Sequence, residues 1–518
     1  MTARQAVRTG DWPTVATCAN QILQRDRSSA EGYFLSGLVE KASNRHLRAA
    51  QTFEQALALD PGRYDAAIEL ADLYSIARRN GETAALLHKY EPFLDNSPVY
   101  LDMAGKVYTD IGLPQKAWPL FKKASELQPG VDLFQANLAA CSVYLGKIEE
   151  AAKIYRSLLY RFPNHRRNHY RLARLQRATD RSHIELMQQI LRESDESPDK
   201  NIFLYYAIGK ELEDLGEWEE AFQYYHMGGN AVCSVAKYDV AEDIALIDRM
   251  IEVCNAAWLR DTENDSEPAD TSRTPIFVVG LPRTGTTLVE RIISSHSNVQ
   301  SLGETQFLQM VLRRESGIAS TENMTPAMIE AVAGKDMGLI ARGYMDAATY
   351  RLGDEALFID KFPFNFLYVG FIARAWPNTR IVYVVRNPMD ACFSMYKAVF
   401  TWAYKFSYSL EGLGRYYVAH DRLLKHWQAT LGDRLIEVSY EDLVNDQEQQ
   451  TRLLLGKLGL EFEQNCLDFE RNEEPSTTAS SVQVRQKVHS DSVGRWTRFA
   501  RQLQPLREYL ENAGIHVG

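Results

Sequence analysis

The chain has few cysteines: six in 518 residues (Cys18, Cys141, Cys233, Cys254, Cys392 and Cys466), spread widely and never in a CxxC pair. That spacing argues against zinc and against a secreted disulfide framework, and it fits a reducing compartment. No stretch reaches the roughly 18 apolar residues that a membrane-spanning helix needs. The opening MTARQAVRTGDWPTV lacks the charged-then-apolar layout of a signal peptide. A cytoplasmic protein without a membrane span is therefore expected. Positive charge is not in excess either, since the formal net charge is −10, so no general affinity for nucleic acid or anionic membrane is expected and any anion site has to be built locally. One further absence is specific. A Walker phosphate loop beginning at Gly280 would carry its lysine at position 286, and the chain has Thr286 there.

What is present points to more than one compact unit. Apolar residues make up 45% and charged residues 24%, ordinary for a globular protein, and the length exceeds what one hydrophobic core serves. The first half is governed by self-similarity. Ala49, Phe53, Ala56 and Pro61 are spaced by 4, 3 and 5, and the spacing recurs at Ala117, Phe121, Ala124 and Pro129 and again at Ala151, Tyr155, Leu158 and Pro163. Ala117 and Ala151 are 34 residues apart, and Ala49 and Ala117 twice that. Weaker units stand at either end, at Val15, Ala19 and Ile22 and in GKELEDLGEWEEAFQYYHMGG. Small residues let paired helices approach, an aromatic fills the space between neighbours, and a proline ends the second helix. This pattern resembles the tetratricopeptide repeat family, whose period it shares, and implies an all-α solenoid over residues 1–258.

RDTENDSEPADTSR is polar and acidic without apolar periodicity and reads as a linker over residues 259–274. Beyond it, over residues 275–518, short β-branched runs precede helical patterns: IFVVG before TTLVERIISSH, IVYVVR before MDACFSMYKAVF, and LIEVSY before EDLVNDQEQQTRLLLGKL. Such alternation predicts an α/β domain with a parallel sheet covered on both faces, with ligands bound at the carboxyl ends of its strands.

Two of those strand ends read as anion sites. In GLPRTGTT, Gly280 and Gly285 permit a tight turn, the helix start directs amides at an anion, Thr286 and Thr287 add hydroxyls, and Arg283 supplies a forked cation. In RNPMDACFS, Arg386 stands at the next strand end with Ser394 eight residues on; for this segment alone a surface arginine beside a helix cap is an equal reading.

Two anion sites, one without the Walker lysine, resemble the sulfotransferase family over roughly residues 275 to 500. The resemblance implies that the donor is 3′-phosphoadenosine 5′-phosphosulfate and that no metal is needed. It implies that Pro282, Arg283, Thr284, Gly285, Thr286 and Thr287 bind the 5′-phosphosulfate, and that Arg386 and Ser394 bind the 3′-phosphate. SLGETQF and FIDKFPFN resemble the tyrosylprotein sulfotransferase branch and its bacterial relatives, which implies Glu304 as general base and Lys361, with Arg283, as the cations beside the phosphosulfate. His296 ranks below Glu304, because SSHSNV reads as a helix terminus where histidine favours the dipole. VSYEDLV resembles the segment whose tyrosine contacts adenine, here Tyr440, and SSVQVRQKVHSDSVGRW resembles a late loop closing over the donor, with Ser481, Gln483, Arg485 and Trp496 as its candidates. The RKGxxGxW signature of the cytosolic branch is missing.

Two rival classes stay open at this point. One is a kinase or NTPase with a degenerate loop, for which Asp360 is a weak magnesium candidate; the other is a catalytically silent repeat scaffold. The acceptor is open too: a protein tyrosine, a polysaccharide, a lipid or a small phenol. The repeat groove implies a protein or peptide partner, the acceptor itself or a second copy of the chain in a homodimer. The aromatic run FTWAYKFSYSLEGLGRYY is a candidate acceptor wall, with core packing the default for most of it.

Overall fold

The expected stop after each repeat is realised: helices His46–Leu59, Pro114–Leu127 and Ile148–Arg161 end two residues before Pro61, Pro129 and Pro163. In the computed structural model the described residues are 3–263, 265–266, 273–320, 324–400, 403–478 and 480–518. Packing divides the chain into two units, Met1–Lys147 and Ile148–Gly518.

The first unit is a succession of helices. Ala30–Ala42 packs on His46–Leu59, and Pro98–Asp110 packs on Pro114–Leu127. The repeated aromatic is buried in each case because a glycine faces it. A Cβ on Gly37 would lie 2.5 Å from Phe53, and one on Gly105 would lie 2.8 Å from Phe121. The tetratricopeptide-like grammar of the sequence is therefore a packing rule, a ring seated on bare backbone.

The second unit begins with further helices that obey the same rule, Gly209 facing Tyr225 at 2.8 Å. It continues into a five-stranded parallel sheet with strands β1 (Thr274–Gly280), β2 (Val299–Ser301), β3 (Leu357–Asp360), β4 (Ile381–Val385) and β5 (Leu435–Ser439) in the order β2-β3-β1-β4-β5. Along β1, Ile276 and Val278 enter one apolar cluster while Phe277 and Val279 enter the other. That is the period-two alternation of a strand buried on both faces. Because β1 lies between β3 and β4, the chain reverses its lateral direction beside β1, and the crevice beyond the carboxyl ends of these strands is where such sheets bind ligands.

The packing boundary differs from the boundary suggested by composition. Helices between residues 166 and 253 share one core with the sheet domain: Tyr206 and Tyr225 belong to the same cluster as Phe393, Tyr396 and Tyr408. Gly229 makes this possible, since a Cβ there would stand 2.4 Å from the Tyr408 carbonyl oxygen. The polar stretch 259–274 is likewise tied down where it is described. Its first residues continue the helix Ala256–Arg260, the Asp265 carboxylate accepts from Arg374 Nε at 2.6 Å, and Ser266 N donates to Asp336 Oδ1 at 2.8 Å. Residues 264 and 267–272 of that stretch lie outside the described residues, as do residues 401 and 402 of the aromatic run. Among the described residues no helix is long and apolar enough to cross a membrane.

Candidate functional site

The residues after all five parallel strands meet around one cavity of about 220 Å³. After β1 the chain turns through positive φ at Gly280 (147°), Arg283 (69°) and Gly285 (105°) before the helix Thr286–Ser294. A left-handed arginine is rare and costs roughly 1–3 kcal/mol, so the surrounding contacts have to hold it. They do: Thr284 Oγ1 closes the turn on the Leu281 carbonyl at 2.8 Å, and Arg386 Nη1 donates to the Arg283 carbonyl at 3.0 Å. Gly285 is required twice over. Its φ suits glycine, and a Cβ would lie 2.5 Å from the Tyr440 ring. Gly285→Ala is expected to lower unfolding stability by roughly 1–3 kcal/mol, read from denaturant midpoints; an unchanged midpoint would mean that the loop does not hold this conformation.

Of the residues singled out in the sequence, Pro282, Arg283, Gly285, Thr286, Thr287, Glu304, Arg386, Ser394, Tyr440 and Gln483 line the cavity. Arg283 donates to Ser480 Oγ and, at 3.1 Å, to Gln483 Oε1. Burial, with Arg174 and Arg386 nearby, pushes its guanidinium down to about 10. An anion in the cavity would relieve that crowding of positive charge. The Arg386 guanidinium stacks 4.7 Å from the Tyr440 ring, and its Nε is buried without a hydrogen-bond partner. A buried donor left unpaired costs free energy unless a ligand satisfies it. Such an orphan, beside a turn whose glycines leave room for close backbone approach, fits an anionic nucleotide.

Glu304 is set by the end of β3. The Gly303 carbonyl accepts from Lys361 N at 3.0 Å, and Thr305 Oγ1 donates to Asp360 Oδ2 at 2.6 Å, so the residue between them is pinned on both sides. The Lys361 ammonium, fully buried, lies 2.6 Å from Glu304 Oε1 and 3.5 Å from Glu290 Oε2. Lys361 therefore stands behind the cavity wall and meets the cavity through the Glu304 carboxylate.

Several predicted residues stand elsewhere. Thr284 is consumed by its turn bond. The side chains of Ser481, Arg485 and Trp496 are not among those lining the cavity. Ser481 is buried next to Ser480, which takes the Arg283 contact instead; Arg485 donates to the Glu474 carbonyl at 3.2 Å, and Trp496 packs in the core with Phe499. The 3₁₀ turns across this loop permute which side chains face inward, and a pattern of residue types does not reveal that. His296 is buried, with its Nε2 bonded to the Glu461 carbonyl at 3.1 Å, and is not a cavity residue. Asp360 is fully buried, bonded to Thr305 and Tyr344, and raised by burial to about 6.

Sequence reasoning also missed one face of the helix Pro388–Tyr396. Asp390, Ser394 and Lys397 are spaced by four and three residues, and all line the cavity. Helical periodicity would have found them once Ser394 was suspected. The Asp390 carboxylate accepts from Gly494 N at 2.6 Å and from Trp496 N at 2.9 Å, fixing the late loop to this helix. Beside Glu304 stands an aromatic shelf: Tyr404, itself left-handed at φ 53°, stacks on Phe364 at 4.6 Å and meets Phe400 at 4.8 Å.

Fold and cavity together define an α/β domain with a phosphate-type loop that has threonine at the Walker lysine position and an arginine three residues before it. Residues 275–464 match the model of the Sulfotransferase family, so the C-terminal part of the chain is a sulfotransferase domain. An uncharacterized protein of Aquifex aeolicus is 26% identical over 424 residues, 80% of this chain and 55% of that protein. Protein-tyrosine sulfotransferase 2 of Gallus gallus is 22% identical over 231 residues, 43% of this chain and 62% of the relative. The chain thus spans between 55% and 62% of the length of these relatives. Among solved structures, the sulfotransferase domain from the curacin biosynthetic pathway covers 48% of this chain and is itself fully covered, with a TM-score of 0.34 and 16% identity. YrrB, a TPR protein with an unusual peptide-binding site, covers 40% of this chain and 97% of its own, with a TM-score of 0.30 and 16% identity.

Proposed function

We propose that the protein transfers a sulfuryl group from 3′-phosphoadenosine 5′-phosphosulfate to an acceptor hydroxyl, a protein tyrosine by analogy with the relatives named protein-tyrosine sulfotransferases. The observation that carries this reading is the Glu304 carboxylate, held at 2.6 Å by Lys361, opening on the same cavity as Arg283 and the Arg386–Ser394 pair. Glu304 takes the acceptor's proton as the acceptor oxygen bonds to sulfur. The bond between sulfur and the 5′-phosphate oxygen breaks, and Arg283 and Lys361 offset the negative charge left on that oxygen. The loop Pro282–Thr287 holds the 5′-phosphosulfate, Arg386 and Ser394 hold the 3′-phosphate, and Tyr440 packs against adenine.

The cations needed for this chemistry are side chains, so the reading requires no metal. In the kinase reading, Asp360 would have to reach magnesium, yet its carboxylate is enclosed by Thr305, Tyr344 and Asn365. The helical repeats are assigned a protein or peptide partner, the acceptor itself in the simplest case, and the six free cysteines suit a cytoplasmic setting. Calorimetry without added metal is expected to give binding of 3′-phosphoadenosine 5′-phosphate in preference to ATP with magnesium. Arg386→Ala should weaken that binding by tenfold or more, the loss of a charge-assisted bond costing roughly 1.5–3 kcal/mol. Preference for ATP with magnesium would overturn the donor assignment.

A further inference from the structure

One charge behind the cavity wall comes from far upstream of the sulfotransferase domain. Glu213 lies in the last turn of the helix Ile202–Leu215 and is almost wholly buried. Its Oε1 accepts from Lys397 Nζ at 2.6 Å and lies 2.8 Å from Arg495 Nε as an ion pair, and its Oε2 accepts from the Tyr225 hydroxyl at 2.8 Å. Neither the burial nor the position is favourable by itself. A carboxylate taken out of water is costly, and the carboxyl end of a helix repels negative charge. Burial resists ionisation, but Lys397 and Arg495 prevail and hold the Glu213 carboxyl below its ordinary range.

The two cations share the cavity lining with Ser394. Lys397 follows it by three residues at the C-cap of the helix, and Arg495 sits between Gly494 and Trp496, the two residues whose amides Asp390 holds. Both cations line the cavity. The closest approach of Arg495 to Glu213 is through Nε, and a guanidinium carries two terminal nitrogens that can donate to another acceptor. One carboxylate set against two cations leaves a net positive charge at this wall.

We propose that Glu213 is a positioning residue for the donor: it holds Lys397 and Arg495 at the wall that also carries Ser394, so that both face the 3′-phosphate. The helical segment before the sulfotransferase domain thereby completes the donor pocket. This inference rests on the donor assignment made above.

The test is calorimetric titration of 3′-phosphoadenosine 5′-phosphate into the full chain and its Glu213→Gln, Arg495→Gln and double variants, with thermal melts alongside. Glu213→Gln is expected to weaken binding about tenfold and to raise the donor KM, with kcat falling by less than about threefold. In the Arg495→Gln background the same change should cost less than about threefold, because one of the two groups it positions is already gone. Removing a negative charge would by simple electrostatics tighten anion binding, so unchanged or tighter binding in Glu213→Gln overturns the proposal while leaving the donor assignment standing. Should Glu213→Gln fail to fold, Lys397→Met and Arg495→Gln, which keep the carboxylate paired with one cation, decide it: each must weaken binding, and full affinity in both overturns it. If the unaltered chain does not bind the nucleotide, the donor assignment fails and this inference with it.

Discussion

Glu304→Gln is expected to lower sulfuryl transfer by about 10²–10⁴-fold, the range that a positioned general base contributes, while leaving affinity for 3′-phosphoadenosine 5′-phosphate nearly unchanged. The substitution is close to isosteric, and the amide oxygen can still accept from Lys361, which lies 2.6 Å from Oε1. The backbone on either side is held independently, by Lys361 N on the Gly303 carbonyl and by the Thr305 hydroxyl on Asp360. What is lost is the capacity to take a proton. The check is release of 3′-phosphoadenosine 5′-phosphate from the donor in the presence of a tyrosine peptide, with nucleotide binding measured on the same preparation. Undiminished turnover would remove Glu304 from the mechanism.

Lys361→Met should act on both stability and rate. Lys361 is fully buried and faces two carboxylates, Glu304 at 2.6 Å and Glu290 at 3.5 Å. Breaking a buried pair from one side costs roughly 3–5 kcal/mol, and here about 3 is expected, because the Glu304 side chain is 31% exposed and can regain water. Turnover should fall by about 10²–10³-fold through loss of the charge that offsets the leaving oxygen. The two effects separate in the double variant Glu304→Gln/Lys361→Met. Removing one carboxylate along with its cation should restore part of the stability in a denaturant titration, and activity should not return. Loss of stability equal to the sum of the single variants would mean that the pair is not coupled as the geometry indicates.

Some of this was legible in the residues alone, for a definable reason. The repeat spacing, the proline stops and the glycine turn after the first β-branched run are local: each constrains backbone within a few residues, so the signal is written where it acts. Glu304 and Lys361 were reachable only through resemblance, and their roles remain proposals. The strands β2 and β3 were not foreseen, being three and four residues long, too short for a two-residue period to stand out. The late loop was located as a segment, but its facing was not. Ser480 rather than Ser481 receives Arg283, since the 3₁₀ turns there rotate the chain by steps that residue types do not record.

By itself the sequence determined a helical repeat followed by an α/β domain, and a phosphate-type loop that puts arginine and threonine where a lysine would serve a triphosphate. Those features follow from backbone permissions and periodicities that hold wherever the segment sits. Tertiary structure alone decided which upstream charges reach the site. Glu213 meets Lys397 across 184 residues of chain, Asp265 meets Arg374 across 109, and the helices from Arg166 onward join the sheet domain's core. A buried charge is tolerated only beside its counter-charge, and the partner is chosen by how the whole unit closes rather than by any neighbour in sequence.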